Sequence, residues 1–282
     1  VGVLAVRWIV VRRQTIFKWV LCALIVVAGL VLASVLPGLI NLVAARQSRQ
    51  VPIYSVDTGE KKVAISFDAA WGADATSRLL EILRQHHVKT TFFLTGIWVK
   101  KYPEMVKAIA AEGHEIGNHS LTHPHFNSLS EAEIRKELAD NDALIFSLTG
   151  KHTRLFRPPF GEYDNLVLQT ARSSGYEAIQ WSVDSLDWQE IGKEAITERV
   201  LQNIRPGAIV LFHNNAKYTP EALPVILDTL QQQGYQIVPV SDLLLKGDYY
   251  IEQHSGIQKP KGGAALQAKP GLAPVTPEII PD

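Results

Sequence analysis

The chain has 282 residues, 46% hydrophobic and 20% charged, enough apolar material for one large core or two modest ones. Lys plus Arg and Asp plus Glu each total 28, so no surplus of positive charge is available to neutralise phosphates, and nucleic acid is excluded as a partner. The single cysteine, Cys22, excludes an intramolecular disulfide and a thiolate metal site; a divalent ion such as Zn²⁺ must be held by His, Asp, Glu or backbone oxygen.

From Trp19 to Ala45 there is no charged side chain. That run exceeds the ~20 residues a helix needs to cross a bilayer core. Arg7, Arg12, Arg13 and Lys18 precede it. The positive-inside bias therefore predicts a cytoplasmic basic segment at 1–18, a single transmembrane signal anchor at 19–45 and an extracytoplasmic remainder attached to the cell membrane. A cleaved signal peptide is the competing reading, with Ala44 and Ala45 available to a peptidase; its apolar region is usually about 7–15 residues, and the greater length here favours retention. Residues 46–61 are polar and aperiodic, which predicts a linker.

Between Lys62 and Leu245, short β-rich runs alternate with longer amphipathic ones. Strands are predicted at Val63–Phe67, Thr91–Leu94, Glu115–Asn118, Leu155–Arg157, Ala178–Trp181, Ile209–Phe212 and Gln236–Pro239. Helices are predicted at Ser77–His86, Pro103–Glu112, Ser130–Leu148, Asn165–Ser174, Ala195–Asn203 and Pro220–Gln233. The third opens on the capping box Ser130-x-x-Glu133 and carries Ile134, Leu138 and Ile145 on one face. About seven such units, without the Gly-x-Gly-x-x-Gly turn of a dinucleotide fold, predict an α/β fold built as a distorted (β/α) barrel rather than an open doubly wound sheet. After Leu245 the composition turns to Lys, Gly, Pro and Gln, and 246–282 is predicted to be a disordered tail.

His119-Ser-Leu-Thr-His123 follows a predicted strand, and a spacing of four on a helical turn puts both imidazoles on one side, as two metal ligands require. A polar loop with two hydrogen-bonded histidines has the same spacing. Asp68, Arg157-Pro-Pro-Phe-Gly161, Asp184-Ser-Leu-Asp187-Trp188 and Leu211-Phe-His213 each read individually as turn or loop elements. All five segments, however, fall at the C-terminal ends of successive predicted strands, the face on which barrel enzymes assemble their sites.

These segments resemble the five ordered motifs of the polysaccharide deacetylases, also called NodB-homology or carbohydrate esterase family four enzymes, over 62–245. Phe67-Asp-Ala-Ala-Trp-Gly72 is similar to a sporulation-associated subgroup of spore-forming bacteria. The resemblance implies that Asp68 is the general base, held ionised by Arg157, and that His119 and His123 bind the metal. It further implies an oxyanion-stabilising backbone N–H near Phe160, an acetyl pocket walled by Trp188 and Leu211, and His213 as the acid that protonates the leaving amine. Asp187 would raise and orient His213, and Asp184 is a lesser participant whose alternative is a strand-end acceptor.

One departure is Ala69, where the commoner pattern has a second, metal-binding Asp. A methyl cannot coordinate, and two histidines fall one short of the three protein ligands usual for catalytic zinc. Asp74 is the nearest carboxylate able to substitute. His86, His87, His114, His125 and His152 read as helix-end or loop residues, and Trp71 and Trp98 as packing or sugar-stacking aromatics. The expected activity is metal-dependent removal of N-acetyl groups from a cell-wall glycan, peptidoglycan foremost, outside the membrane. The alternatives are a non-catalytic glycan-binding or sporulation-associated wall protein weakened at Ala69, and a barrel amidase acting on small soluble amides.

Overall fold

The computed structural model describes residues 13–47 and 49–261. The chain divides between Arg49 and Gln50 into two units. In the first, helix α1 (Arg13–Gln47) contains a stretch, Lys18–Leu36, long and apolar enough to cross a membrane, with exposed side chains throughout. Arg7 and Arg12 of the expected cytoplasmic segment lie outside the described residues.

The second unit begins with a two-residue strand, β1 (Ser55–Val56), followed by β2 (Lys62–Ala69), α2 (Thr76–Gln85), β3 (Thr91–Leu94), α3 (Gly96–Lys101), α4 (Pro103–Ala111) and β4 (Glu115–Asn118). Next come α5 (Glu131–Thr149), β5 (Leu155–Phe156), α6 (Asn165–Ser173), β6 (Glu177–Ala178), β7 (Val183–Asp184) and α7 (Lys193–Asn203). The order ends with β8 (Ile209–His213), α8 (Thr219–Gln232), β9 (Gln236–Val238), α9 (Val240–Leu243), β10 (Tyr249–Ile251) and β11 (Ile257–Pro260). Seven parallel strands form a half-barrel in the order β6-β5-β4-β3-β2-β8-β7, and β9 pairs with the start of β2. The distorted barrel expected from the alternating pattern is thus present. Its third predicted helix opens on the predicted capping box and closes on Gly150 in the left-handed conformation.

Central strand β2 explains why the site is where it is. Side chains alternate along a strand. Val63, Ile65, Phe67 and Ala69 join the cluster formed with Leu79, Ile82 and Leu83 of α2 and Leu223, Ile226 and Leu227 of α8. Phe67 stacks between Phe92 at 4.9 Å and Phe212 at 5.8 Å; each such buried ring contributes about 1.5–3 kcal/mol of burial energy. The opposite face carries Ala64, Ser66 and Asp68, so the pleat that anchors the strand also turns its one carboxylate away from that cluster.

Two expectations are corrected outside the barrel. Part of the predicted linker is structural: Val51, Ile53 and Val56 are buried, Ile53 N–H donates to Ala178 O at 2.9 Å, and Ile53 O accepts from Gln180 N–H at 2.7 Å. The predicted tail is ordered to Lys261, because β11 pairs in parallel with β1 and antiparallel with β10. Buried Gln258 there accepts from Leu245 N–H through its side-chain oxygen at 2.8 Å. Composition averages over polar neighbours and cannot reveal a short strand whose partner is distant in sequence. Residues 262–282 lie outside the described residues.

Candidate active site

Asp68 is the penultimate residue of β2, in register with Phe93 of β3 and His213 of β8. Its Oδ1 accepts from Arg157 Nη1 at 2.7 Å, and both side chains are buried. Arg157 Nη2 donates to Ser66 Oγ at 2.9 Å and to Gln180 O at 3.2 Å, while the guanidinium lies 4.1 Å from the centre of the Phe93 ring. Ser66 Oγ in turn donates to Val210 O at 2.7 Å. Burial opposes the charge on Asp68, but the charge and hydrogen bond of Arg157, with His213 adding, outweigh it and hold the carboxyl below its usual pKa.

His119 and His123 do not sit on a helical turn. They bound an irregular loop in which Ser120 (φ 74°) and His123 (φ 59°) adopt the left-handed conformation, and this loop, not helical periodicity, brings the rings to 5.0 Å. His119 Nδ1 donates to Arg157 O at 2.7 Å, which leaves Nε2 with its lone pair, 3.6 Å from Asp68 Oδ2. Burial lowers the pKa of His119 and takes that of His123 to about 3, so both rings are neutral, as metal donors must be. Buried His123 Nδ1 has no hydrogen-bond partner among the described residues.

His213 ends β8. Its Nδ1 donates to Asp187 Oδ1 at 2.8 Å and its backbone N–H to Asp187 Oδ2 at 2.8 Å, while Thr219 Oγ1 donates to the same oxygen at 2.7 Å. Burial works against a charge on His213, yet the hydrogen bond and charge of Asp187, with Asp68 and Asp184 adding, raise its pKa. Asp187 is fully buried, whereas the His213 side chain is one-third exposed. Asp184 acts on the backbone instead. Its Oδ1 accepts from Leu186 N–H at 2.9 Å and shapes the turn that delivers Asp187. Burial raises the Asp184 pKa.

Phe160, in the left-handed conformation at φ 57°, is half exposed, stacks on His125 at 4.4 Å and meets His123 edge-on at 4.5 Å. Trp188 is exposed and Leu211 buried. Several further participants are not evident from the motifs. Asn214 donates from its backbone to Asp68 O and from its amide to Gly72 O and Thr76 Oγ1, and Trp98 Nε1 also donates to Gly72 O. The one sequence signal for Asn214 is its position next to His213. For Ser66 it is a place two residues before Asp68 on the same strand face.

Ala69 is fully buried in the apolar cluster on the Phe67 face. Among the described residues no group of three or more His, Cys, Asp or Glu side chains is arranged to hold a metal. Asp74 does not substitute: it is exposed, on a loop where its own N–H is held by Asn215 Oδ1 at 2.9 Å. The neutral histidine pair, with the orphaned buried Nδ1 of His123, fits two nitrogen donors of a divalent ion. Among the described residues no third protein donor joins them.

The polysaccharide deacetylase family profile matches residues 55–179. A peptidoglycan-N-acetylglucosamine deacetylase of Bacillus cereus is 38% identical over 196 residues, 68% of this chain and 92% of that protein. The peptidoglycan-N-acetylmuramic acid deacetylase PdaA of Bacillus subtilis is 34% identical over 197 residues, 68% of this chain and 75% of its own. Among solved structures, a CE4 family pseudoenzyme of Bacillus anthracis superposes with a TM-score of 0.66 at 38% identity, covering 68% of both chains. A mutant of that pseudoenzyme with restored enzymatic activity superposes equally well, at 0.66 and 39% identity over 68% of this chain and 71% of its own. With these relatives the half-barrel and its five strand-end motifs have one explanation: the chain belongs to the polysaccharide deacetylase family.

Proposed function

We propose that the chain is a metal-dependent hydrolase that removes N-acetyl groups from peptidoglycan outside the cell membrane, to which α1 anchors it. The observation that carries this reading is the convergence of two charge-paired groups on adjacent strand ends, Asp68 with Arg157 and His213 with Asp187. One is ionised and suited to accept a proton; the other has a raised pKa and is suited to give one.

His119 and His123 would hold a divalent ion, zinc in the first instance, which when bound would supply Lewis-acid chemistry toward the acetamide carbonyl and the attacking water. Asp68 takes the proton from that water as its oxygen attacks the carbonyl carbon. Arg157, fixed by Ser66 and Gln180, keeps the carboxylate ionised and aimed. The backbone N–H near Phe160 stabilises the developing oxyanion. His213, its Nδ1 committed to Asp187, gives the proton on Nε2 to the amine nitrogen as the C–N bond breaks, and acetate and the free amine leave. Trp188 and Leu211 wall the acetyl group, and Asp184 acts through the turn it caps. The site works between the lowered pKa of Asp68 and the raised pKa of His213.

Ala69 favours a second reading, a non-catalytic glycan-binding or sporulation-associated wall protein. The similar solved structures include both a pseudoenzyme and a mutant of it with restored activity. The deciding experiment substitutes Ala69→Asp and measures zinc binding by calorimetry and acetate release from peptidoglycan fragments, with Asp68→Asn as the inactive control. On the enzyme reading, wild type binds zinc weakly and releases acetate, Ala69→Asp improves both, and Asp68→Asn stops release in either background. An unpaired carboxylate buried at position 69 costs several kcal/mol. Ala69→Asp is therefore less stable without zinc and recovers about 2.7 kcal/mol at one hundred times its dissociation constant. Glycan binding without zinc binding or acetate release in either protein replaces the enzyme with the binder.

A further inference from the structure

The two histidines are brought together by a loop that no regular element dictates, and Ser120 and His123 hold backbone conformations that non-glycine residues rarely adopt. Such a loop persists only where its surroundings over-determine it. One edge of that surrounding comes from a single helix. Glu137 of α5 spends its carboxylate on three hydrogen bonds from the loop: Leu121 N–H at 2.9 Å and Thr122 N–H at 2.8 Å to Oε2, and Thr122 Oγ1 at 2.8 Å to Oε1. One turn along the same helix, Asn141 Nδ2 donates to Leu94 O at the end of β3 and to Asn118 Oδ1 at the end of β4, both at 2.8 Å. Asn118 Oδ1 also receives Ser120 N–H at 2.9 Å, and its Nδ2 returns to Leu138 O on α5 at 2.9 Å.

The opposite edge of the loop is pinned as well. Ser120 O and Leu121 O accept from the N–H groups of Gly96 and Ile97 that open α3, at 2.9 and 3.0 Å. Ser120 Oγ accepts from His123 N–H at 2.9 Å and closes the loop on itself. Within this frame Glu137 is the only charged side chain bonded to the loop's centre among the described residues, and it alone satisfies the N–H groups there. We propose that Glu137 is a positioning residue for the histidine pair, clamping the strained loop so that the His119 and His123 rings are held edge-on, 5.0 Å apart, before any ion arrives. This rests on the reading of His119 and His123 as metal donors.

The test uses the full chain in detergent micelles, with histidine rings isotopically labelled. In metal-free wild type, ring protons of His119 and His123 give a mutual nuclear Overhauser effect, and the amides of Leu121 and Thr122 are protected from exchange. In Glu137→Ala both signals are lost while far-UV circular dichroism is unchanged, and zinc affinity measured by calorimetry falls on the order of 10- to 100-fold, as for other residues that orient metal ligands. Glu137→Gln, which keeps one acceptor oxygen and the shape, restores part of each signal. Retention of the ring contact and amide protection in Glu137→Ala overturns the proposal, as does their loss to the same extent in Glu137→Gln. Absence of zinc binding in every variant, with the ring contact still lost in Glu137→Ala, removes the metal reading and leaves the clamp standing.

Discussion

Replacing Arg157 by Met tests the electrostatic centre of the site. The substitution keeps an unbranched side chain, and the thioether can take the guanidinium's place against Phe93, where that group now lies at 4.1 Å. It removes the charge paired with Asp68 at 2.7 Å and the donors to Ser66 and Gln180. Removing one partner of a buried ion pair costs about 3–5 kcal/mol, because the other charge stays buried without compensation. At about 2–4 °C per kcal/mol for a domain of this size, melting falls on the order of 6–20 °C at pH 7. The loss has a pH signature. In wild type the depressed pKa of Asp68 contributes stability above the unfolded carboxylate value, lost as pH falls through the folded one. In Arg157→Met, burial is less opposed and the pKa of Asp68 rises, so the variant is relieved as acid protonates the group. The gap in melting temperature between the two proteins therefore narrows from pH 7 to about pH 4. Circular dichroism melts across that range measure it. A variant within about 2 °C of wild type at pH 7, or a gap independent of pH, refutes the role of Arg157 as the partner that keeps Asp68 charged.

Asp187→Asn removes the charge that raises His213, so the imidazole pKa falls toward or below about 6.5 in an NMR titration. The stability that this pair supplies, full below the unfolded histidine pKa and lost as pH rises through the folded one, disappears with it. An unchanged titration would mean that Asp187 only orients the ring. Gly72→Ala meets a positive φ of 61° and puts a Cβ 2.2 Å from Asn215 Nδ2. It should cost about 1–3 kcal/mol and free the amide of Asp74, now held by Asn215, to exchange with solvent, a change read by hydrogen exchange.

The barrel is legible in the sequence because its signal is periodic. Helix α5 announces itself through Ser130 and Glu133, and β3 and β4 fall where the short apolar runs predict them. The five chemistry-bearing segments stand out because a parallel half-barrel puts every strand's C-terminal end on one face. Anything set by distant pairing stays hidden. β1 and β11 are short and flanked by polar residues, and β1 pairs with a strand about 200 residues away. Residue spacing is blind to φ, so the histidine loop reads as a helical turn, and its bond to Glu137 comes from 15 or 16 residues away. Ala69 is legible as a departure from the family's pattern, but its place in the Phe67 cluster follows from the pleat of β2.

The segment from Ile53 to Asp57 sets an order of assembly. It bonds to Ala178, Gln180, Gly207 and Gln258, the last about 200 residues further along the chain. At roughly 5–20 residues per second, synthesis of that interval takes about 10–40 s; Ile53 gains Ala178 and Gln180 partway through it, whereas β1 stays without β11 to the end. Non-local contacts of this kind slow folding and lengthen the exposure of apolar surface. Among the described residues, the last strand to be made is therefore the one that completes the pairing of the first, and the domain's edge stays open to misassembly until Gln258 has emerged.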